Sequence, residues 1–528
     1  MSLGLFDVVG PVMHGPSSNH TAGATRIGYL ARQIVGDIPE TISFTFHPRF
    51  MNVFAGHRTH IALLAGCLGY REYEPECNDA FSIAEQKGIR VKYVAATEPL
   101  APRNHMGVGG NSFGVQWDIN CDSSGGGYIV LYRLNGVPMR YDGNNWLNLY
   151  ILKKGTQTEK AMRVVLASED EPDNLKELYV GEGEETALFC LETKNQVAEG
   201  NQKRVAGALG EENILALRYV APLYPFAQRS DADPLFSTFK ELADAAEGRE
   251  LIDVVLEFES RRSGQPKSAV LAEGVRIIDV IQNSINRSIQ GNNRLIGGLC
   301  TGNDGKYLAD WAETGKSLAG RTFTIGLARA VALAELNASA GLVVAAPTAG
   351  SAGTLPGILF TVAEKLGSAR QELAKAFLIA AAIGKIVGEK ATFSGSVGGC
   401  QGEVGIGAGM GAGASVWLAG GSTEAVIHAA TLTLKNVLGL TCDCPASPVE
   451  IPCIKRNGMG VAVAFMGAEM ALAGVRSVMP PDDVVDGFAD TQRRMPNELK
   501  GACCVGGLAG TAFAKVLQQK WSNKLKGF

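Results

Sequence analysis

The chain has 528 residues, 46% hydrophobic and 19% charged, with a net charge of -4. That length predicts several domains, and that apolar content excludes wholesale disorder. The near-balance of 49 basic and 53 acidic residues gives no reason to expect nucleic acid or an anionic membrane as partner. The amino terminus, MSLGLFDVVGPVMHGPSS, has no basic stretch leading into an apolar one, so no secretory signal is expected. Two uncharged runs, Gly341 to Ala363 and Val404 to Thr423, hold too much Gly, Ala and Pro for a membrane span. They read as buried small-residue helices, and a cytoplasmic protein is expected.

In chain order, residues 1–145 carry six of the seven histidines and mix β-like runs (ETISFTF, VKYVAAT, GYIVLYRLNG) with one amphipathic helix. In that helix, ATRIGYLARQIV, Ile27, Leu30, Ala31 and Ile34 share one face, so this part reads as an α+β domain. Residues 146–230 read as strand, helix, strand, strand, helix, strand, from LNLYILKK to ILALRYVAPL. That order predicts a small ferredoxin-like βαββαβ unit. From 234 to 528, helix-forming segments with 3.6-type spacing follow one another and strands are scarce, which predicts an all-α domain. The expected fold class is thus multidomain: α+β, then βαββαβ, then all-α.

Ten glycines fall between Ala391 and Gly420, around Cys400. No phosphate-binding glycine motif follows a strand, so close helix packing, or close backbone approach to a bound group, explains them better. Of the eleven cysteines, Cys400, Cys442, Cys444, Cys453, Cys503 and Cys504 crowd the last part of the chain. Pro445, Pro448 and Pro452 predict an irregular path through LTCDC and EIPCIKRNG, so Cys400, Cys442 and Cys453 are expected on loops. The paired C-x2-C spacing of zinc sites is absent. Three such thiolates suit a [4Fe–4S] cluster with one iron open, or they are structural cysteines.

NASAGLVVAAPTAGSAGTLPGIL, SGSVGGCQGEVG, LGLTCD and VEIPCIKRNGMG are similar to the α portion of the iron–sulfur-dependent L-serine dehydratase family. FDVVGPVMHGPSSNHTAGATRIGYLARQI and AGHRTHIALLAGCLGY are similar to its β portion, in the order of a fused β–α chain. The resemblance implies a [4Fe–4S] cluster on Cys400, Cys442 and Cys453, an ACT-like identity for residues 146–230, and no pyridoxal phosphate. Some members supply a C-terminal cysteine as a fourth contact; this sequence ends Lys526-Gly527-Phe528, leaving an open iron or an approach by Cys503 or Cys504. An open iron acts as a Lewis acid on a β-hydroxyl. L-serine would then lose water and, after hydrolysis of the imine, give pyruvate and ammonia.

The histidines make the amino-terminal part the expected source of acid–base chemistry, with His20 in GPSSNHTAG and His57 in GHRTH at family motif positions. Ser17, Ser18, Asn19 and Thr21 are candidate substrate contacts, against the alternative that the hydroxyls merely cap the following helix. Lys455 is a candidate catalytic cation, and Arg456 beside it could balance charge; a surface ion pair is the alternative. Asn337 and Thr348 are candidate substrate partners, and Glu403 is either a helix-start carboxylate or a site residue.

Five family motifs depart from their usual form here. GPSSSHT reads GPSSNHT, GHGTD reads GHRTH, and SGLxGGDA reads NRLIGGLCTGND. CDPVxGLVE reads CDCPASPVE, and KETSxGGLA reads KGACCVGGLA. Arg58 and Arg294 would suit an extra carboxylate or phosphate, so the departures favour a changed β-hydroxy acid substrate over drift. A cluster lyase with another leaving group, such as sulfide from cysteine, and a non-catalytic amino-acid or redox sensor are the other readings. The partner expected is a small hydroxy or amino acid, and the assembly a homodimer.

Overall fold

The computed structural model describes residues 3–47, 55–96, 104–112, 114–167, 174–224, 226, 234–501 and 505–525. Its strands in chain order are β1 (Val12–His14), β2 (Thr41–Phe46), β3 (Arg90–Ala95), β4 (His105–Ser112), β5 (Val115–Gly125) and β6 (Tyr128–Leu134). They continue as β7 (Val137–Tyr141), β8 (Trp146–Lys153), β9 (Leu175–Glu182), β10 (Thr186–Thr193), β11 (Ile214–Val220) and β12 (Leu342–Val344). Two compact units result. One comprises Met1–Ser18, Ala55–His57 and Ser230–Phe528; the other comprises Asn19–Phe54 and Arg58–Arg229.

The second unit holds two sheets. The larger has the order β3-β2-β4-β5-β6-β7, with β2 and β3 parallel and the remaining neighbours antiparallel. The helix Gly23–Val35 buries Ile27, Leu30, Ala31 and Ile34, the face its spacing predicts. It meets the helix Thr59–Cys67 backbone to backbone: a Cβ at Gly28 would collide with Leu63 O, and one at Gly66 with Thr25 O. The smaller sheet has the order β11-β8-β10-β9, all antiparallel, with the helices Glu159–Leu166 and Glu199–Leu209 between its strands in sequence. Fourth-first-third-second is the spatial order of a split βαβ unit. Its core is Tyr150, Leu152, Ala161, Phe189, Leu191, Val205 and Leu209.

The first unit is predominantly helical. Every residue from Ile406 to Val416 of the helix Ile406–Leu418 is buried. Its glycines let neighbours approach closely: a Cβ at Gly409 would sit 3.0 Å from Leu434 Cγ, and one at Gly413 would collide with Ile383. Close helix packing therefore accounts for the glycine-rich run. No helix among the described residues is long and apolar enough to cross a membrane.

The expectation of pure helix beyond residue 234 needs correcting. β12 follows the helix Arg321–Ala338 and pairs antiparallel with β1, Val12 opposite Val344. Three-residue strands this far apart leave no period to read. The same amino-terminal segment is tied down again where Leu5 N donates to Glu259 Oε2 at 2.7 Å, a carboxylate also paired with Arg262 at 2.7 Å.

Candidate active site

Cys400 immediately precedes a π-helical turn, Gln401–Gly405, that runs into the buried helix Ile406–Leu418. Cys442 lies on a segment whose backbone pairs with later chain: its N–H donates to Leu499 O at 2.9 Å and its carbonyl accepts from Gly501 N at 2.8 Å. The next thiol along this segment, Cys444, contacts that of Cys442. Asp443 accepts from Arg456 Nη2 at 2.7 Å and from Leu508 N at 2.8 Å. Cys453 is the first residue of the helix Cys453–Leu472, directly after Pro452. The expectation of a loop thiol therefore fails for Cys453, because a proline permits a helix to begin just behind it.

These segments bring four thiols together. Cys400 Sγ, Cys442 Sγ and a Glu403 carboxylate oxygen lie within 4.8 Å of one another. The Cys442 thiol contacts that of Cys444, and Cys444 Sγ is 3.1 Å from Cys453 Sγ. No disulfide joins the described cysteines; Cys503 and Cys504 lie outside the described residues. Arg456 Nη1 reaches Cys400 Sγ at 3.6 Å and donates to Thr441 O at 2.6 Å. Thr348 Oγ1 donates to Glu403 Oε1 at 2.8 Å, and burial pushes the Glu403 carboxyl up to about 7. A Cβ at Gly395 would collide with that carboxylate and stand 3.5 Å from Cys442 Sγ, so only glycine leaves this space open.

Lys455 stands elsewhere. Its ammonium pairs with Asp304 and donates to Cys300 Sγ at 3.4 Å. With the helix starting at Cys453, Arg456 lies three residues on and shares its face, whereas Lys455 does not. The cation at the thiols is therefore Arg456. Asn457, fully buried, ties this helix start to the rest: it donates to Gly350 O at 2.9 Å and accepts from Gly353 N at 3.0 Å.

The other candidates divide between the two units. Asn337 Nδ2 donates to Pro16 O at 2.9 Å, beside the Gly15 to Ser18 segment. Its buried Oδ1 has no hydrogen-bond partner among the described residues. Ser17 and Ser18 precede the helix rather than cap it: the chain makes a π-helical turn, Ser18–Ala22, and the helix proper starts at Gly23 without a side-chain cap. His57 lies in the turn at residues 55–58, where Gly56 abuts the Ser447 hydroxyl of the cysteine loop.

In the other unit, His20 sits on the π-helical turn, its Nε2 3.4 Å from Asn104 Oδ1. Asn104 Nδ2 donates to Ser123 O at 3.0 Å, which turns Oδ1 toward the imidazole. Nε2 therefore carries the proton and Nδ1 the lone pair. Ser123 Oγ donates to Asn19 O at 2.9 Å, and Thr25 Oγ1 donates to Thr21 O at 3.1 Å, fixing the turn. Burial lowers the His20 pKa from 6.5 to about 4, so the ring is neutral at physiological pH. Between these values the unfolded chain binds more protons, so this contribution is present above pH 6.5 and is lost as pH falls through 4. We expect it to amount to about 3 kcal/mol. Urea unfolding across that window should show a component missing from His20→Gln.

A donor set of three buried thiols and the half-buried Cys444 beside one guanidinium is suited to a polynuclear iron–sulfur group, which would bind the sulfurs as thiolates. The comparisons with known proteins give the family. The family described as "Serine dehydratase alpha chain" matches residues 246–508. The "Probable L-serine dehydratase, alpha chain" of Bacillus subtilis is 38% identical over 288 residues, 54% of this chain and 95% of that protein. The "L-serine dehydratase, alpha chain" of Peptoniphilus asaccharolyticus is 36% identical over 291 residues, 54% of this chain and 98% of that one. The "Probable L-serine dehydratase, beta chain" of Bacillus subtilis is 38% identical over 142 residues, 27% of this chain and 64% of that protein. The chain belongs to the iron–sulfur L-serine dehydratase family, with β and α portions fused.

Against the family's motifs, the departures now have places. Arg58 donates to Asn78 O at 3.1 Å, and Arg294 is exposed, so neither arginine is seen addressing an extra anionic group. Where the family has the glycine of CDPVxGLVE, this chain has Ser447 at φ 78°, next to Ala446 at φ 61°. Both are left-handed conformations that side chains disfavour. The Ser447 hydroxyl is also buried without a hydrogen-bond partner among the described residues. Ser447→Gly should therefore gain about 1 kcal/mol in chemical denaturation. The family's SGLxGGDA segment, here NRLIGGLC, turns four N–H groups onto Glu450. Its Oε1 accepts from Gly297 at 2.5 Å and Gly298 at 3.1 Å, and its Oε2 from Leu299 at 2.7 Å and Cys300 at 3.1 Å.

Sequence reasoning left two groups out of the site, Cys444 and Asp443, and named Arg456 only as a charge balance beside Lys455. The C-D-C triplet was the signal for the first two.

Proposed function

We propose that the protein is a lyase that eliminates water from L-serine, yielding pyruvate and ammonia, with a [4Fe–4S] cluster on Cys400, Cys442 and Cys453. The observation that carries this is the convergence of those thiols beside Glu403 and Arg456 in a member of this family. When bound, such a cluster supplies a Lewis acid for the substrate's β-hydroxyl and carboxylate. Arg456, held by Asp443 and Thr441 O, offsets the negative charge the thiolates bring. Thr348 orients the Glu403 carboxyl toward the thiols, where it holds or accepts a proton. His20, neutral with its lone pair on Nδ1, is the proposed base for the α-proton, and His57 the second acid–base group. Ser17, Ser18, Asn19, Thr21 and the Asn337 Oδ1 acceptor are proposed contacts to substrate.

L-serine is preferred over a more anionic substrate because Arg58 is engaged by Asn78 and Arg294 faces solvent. Residues 146–230 are proposed to be an ACT-like unit, supported by the strand order β11-β8-β10-β9, and the assembly to be a homodimer.

The test is anaerobic reconstitution with iron and sulfide, then EPR of the reduced protein with and without L-serine, alongside pyruvate release. A serine-dependent spectral change with pyruvate formation is expected. A loaded cluster blind to serine, with no pyruvate formed, would overturn the reading.

A further inference from the structure

We propose that the outer face of the helix Cys453–Leu472 is where a second copy of this chain docks, the two helices running antiparallel across a two-fold axis at Ala462. This rests on the homodimer reading above and assigns it a surface. The charged residues of the helix are Lys455 and Arg456 near one end and Glu469 near the other, and the stretch from Asn457 to Ala468 carries none. A helix apolar on every side belongs in a core. Here burial is one-sided: Asn457, Val461, Ala464 and Ala468 are buried, while Met459, Ala462, Val463 and Met466 are half-buried and Met470 is exposed. At 3.6 residues per turn, Lys455, Met459, Ala462, Met466 and Glu469 fall on one outward stripe.

The apolar face continues sideways onto the helix Arg321–Ala338. Its half-buried Phe323 has its ring centroid 5.8 Å from that of Phe465, and a Cβ at Gly458 would stand 3.7 Å from Leu327. Methionine and aromatic side chains of this kind make the water-excluding centre of a protein interface, with charges at its rim.

The order of charge along the stripe selects a second copy as the occupant. A two-fold axis makes an interface self-complementary, so each contact between unlike residues forms twice. Ala462 lies midway between Lys455 and Glu469. An antiparallel pair crossing there sets Lys455 of one copy against Glu469 of the other, at both ends. It also sets Met459 against Phe465 and Met466 against Gly458. A parallel pair would oppose like charges instead. Both rim residues can respond: the Lys455 side chain is 54% exposed beside Asp304, and its ammonium keeps further donors for a second carboxylate. Glu469 is exposed and forms no ion pair among the described residues. The small side chain of Ala462 lets the two axes approach to about 8 Å.

The test is sedimentation velocity of the full-length protein and its variants, with circular dichroism to check that each folds. The unaltered protein should sediment as a dimer. Met466→Lys sets a cation into the apolar centre, on the side of Lys455 of the other copy, and should raise the dissociation constant by at least about 100-fold. Within its own helix the new side chain lies three residues before Glu469, which favours folding. Glu469→Lys turns the rim attraction into repulsion at an exposed site and should raise the constant by about 10-fold. Ala462→Cys reads the geometry without reference to affinity. Placed on the axis, it should form a disulfide with its own counterpart under oxidised glutathione, identified as a self-linked peptide by mass spectrometry. Glu469→Cys, about 20 Å from its counterpart, should not self-link. A dimer unchanged by Met466→Lys and Glu469→Lys, with no self-link from Ala462→Cys, would overturn this face and leave the homodimer reading standing. An unaltered protein that is monomeric at micromolar concentration would overturn both and leave the stripe to a different partner.

Discussion

Cys442→Ser is expected to fold but to lose stoichiometric iron and sulfide, and with them serine turnover by more than about 100-fold, since even residues one shell removed from a metal cost 10- to 100-fold. The case for so large an effect is positional. Cys442 touches both Cys400 and Cys444 and lies within 4.8 Å of the Glu403 carboxylate. Its backbone is held by Leu499 and Gly501 whatever its side chain, so the exchange of sulfur for oxygen is the main change. Circular dichroism should therefore match the parent while metal analysis and pyruvate release collapse. A variant that keeps its cluster and activity would remove Cys442 from the site.

Glu450→Ala is expected to lower unfolding stability by about 3–5 kcal/mol, a large share of the 5–15 typical of a folded domain. The side chain is fully buried, and both of its oxygens are used by the N–H groups of Gly297, Gly298, Leu299 and Cys300. Truncation leaves all four without that acceptor. Glu450→Gln keeps one oxygen and turns an amide N–H₂ toward the remaining donors, so an intermediate loss is expected. The urea midpoint should fall with an unchanged slope. A loss below about 1 kcal/mol would mean that solvent replaces the carboxylate at little cost.

What could be read in advance followed the range of the signal. The βαββαβ order was legible because each strand and helix there carries its own period. The three motif cysteines were legible because the segments around them are distinctive. The start of the helix at Cys453 was not, since the prolines before it marked an irregular path without marking its end. That one boundary decided between neighbours: Lys455 reaches Asp304 and Cys300, while Arg456 reaches Cys400. Cys444 was visible as a departure from the family's proline, but its direction depends on pairing with Leu499 and Gly501, which no local pattern announces. Nor does any local pattern reveal that Glu450, far along the chain, collects the amides of Gly297 to Cys300.

The pairing of β1 with β12 has a consequence for how such a polypeptide can be divided. A break anywhere between Phe226 and Pro234 would look, from the sequence, like a clean separation of the β portion from the α portion. It would in fact strip the helical unit of its own first segment, leaving Leu342–Val344 without a strand neighbour and Glu259 without the Leu5 amide. The two pieces would behave as halves of a split protein, the helical one completed only by a strand that the other carries. Expression as one polypeptide removes that search by making the complementing segment part of the same molecule.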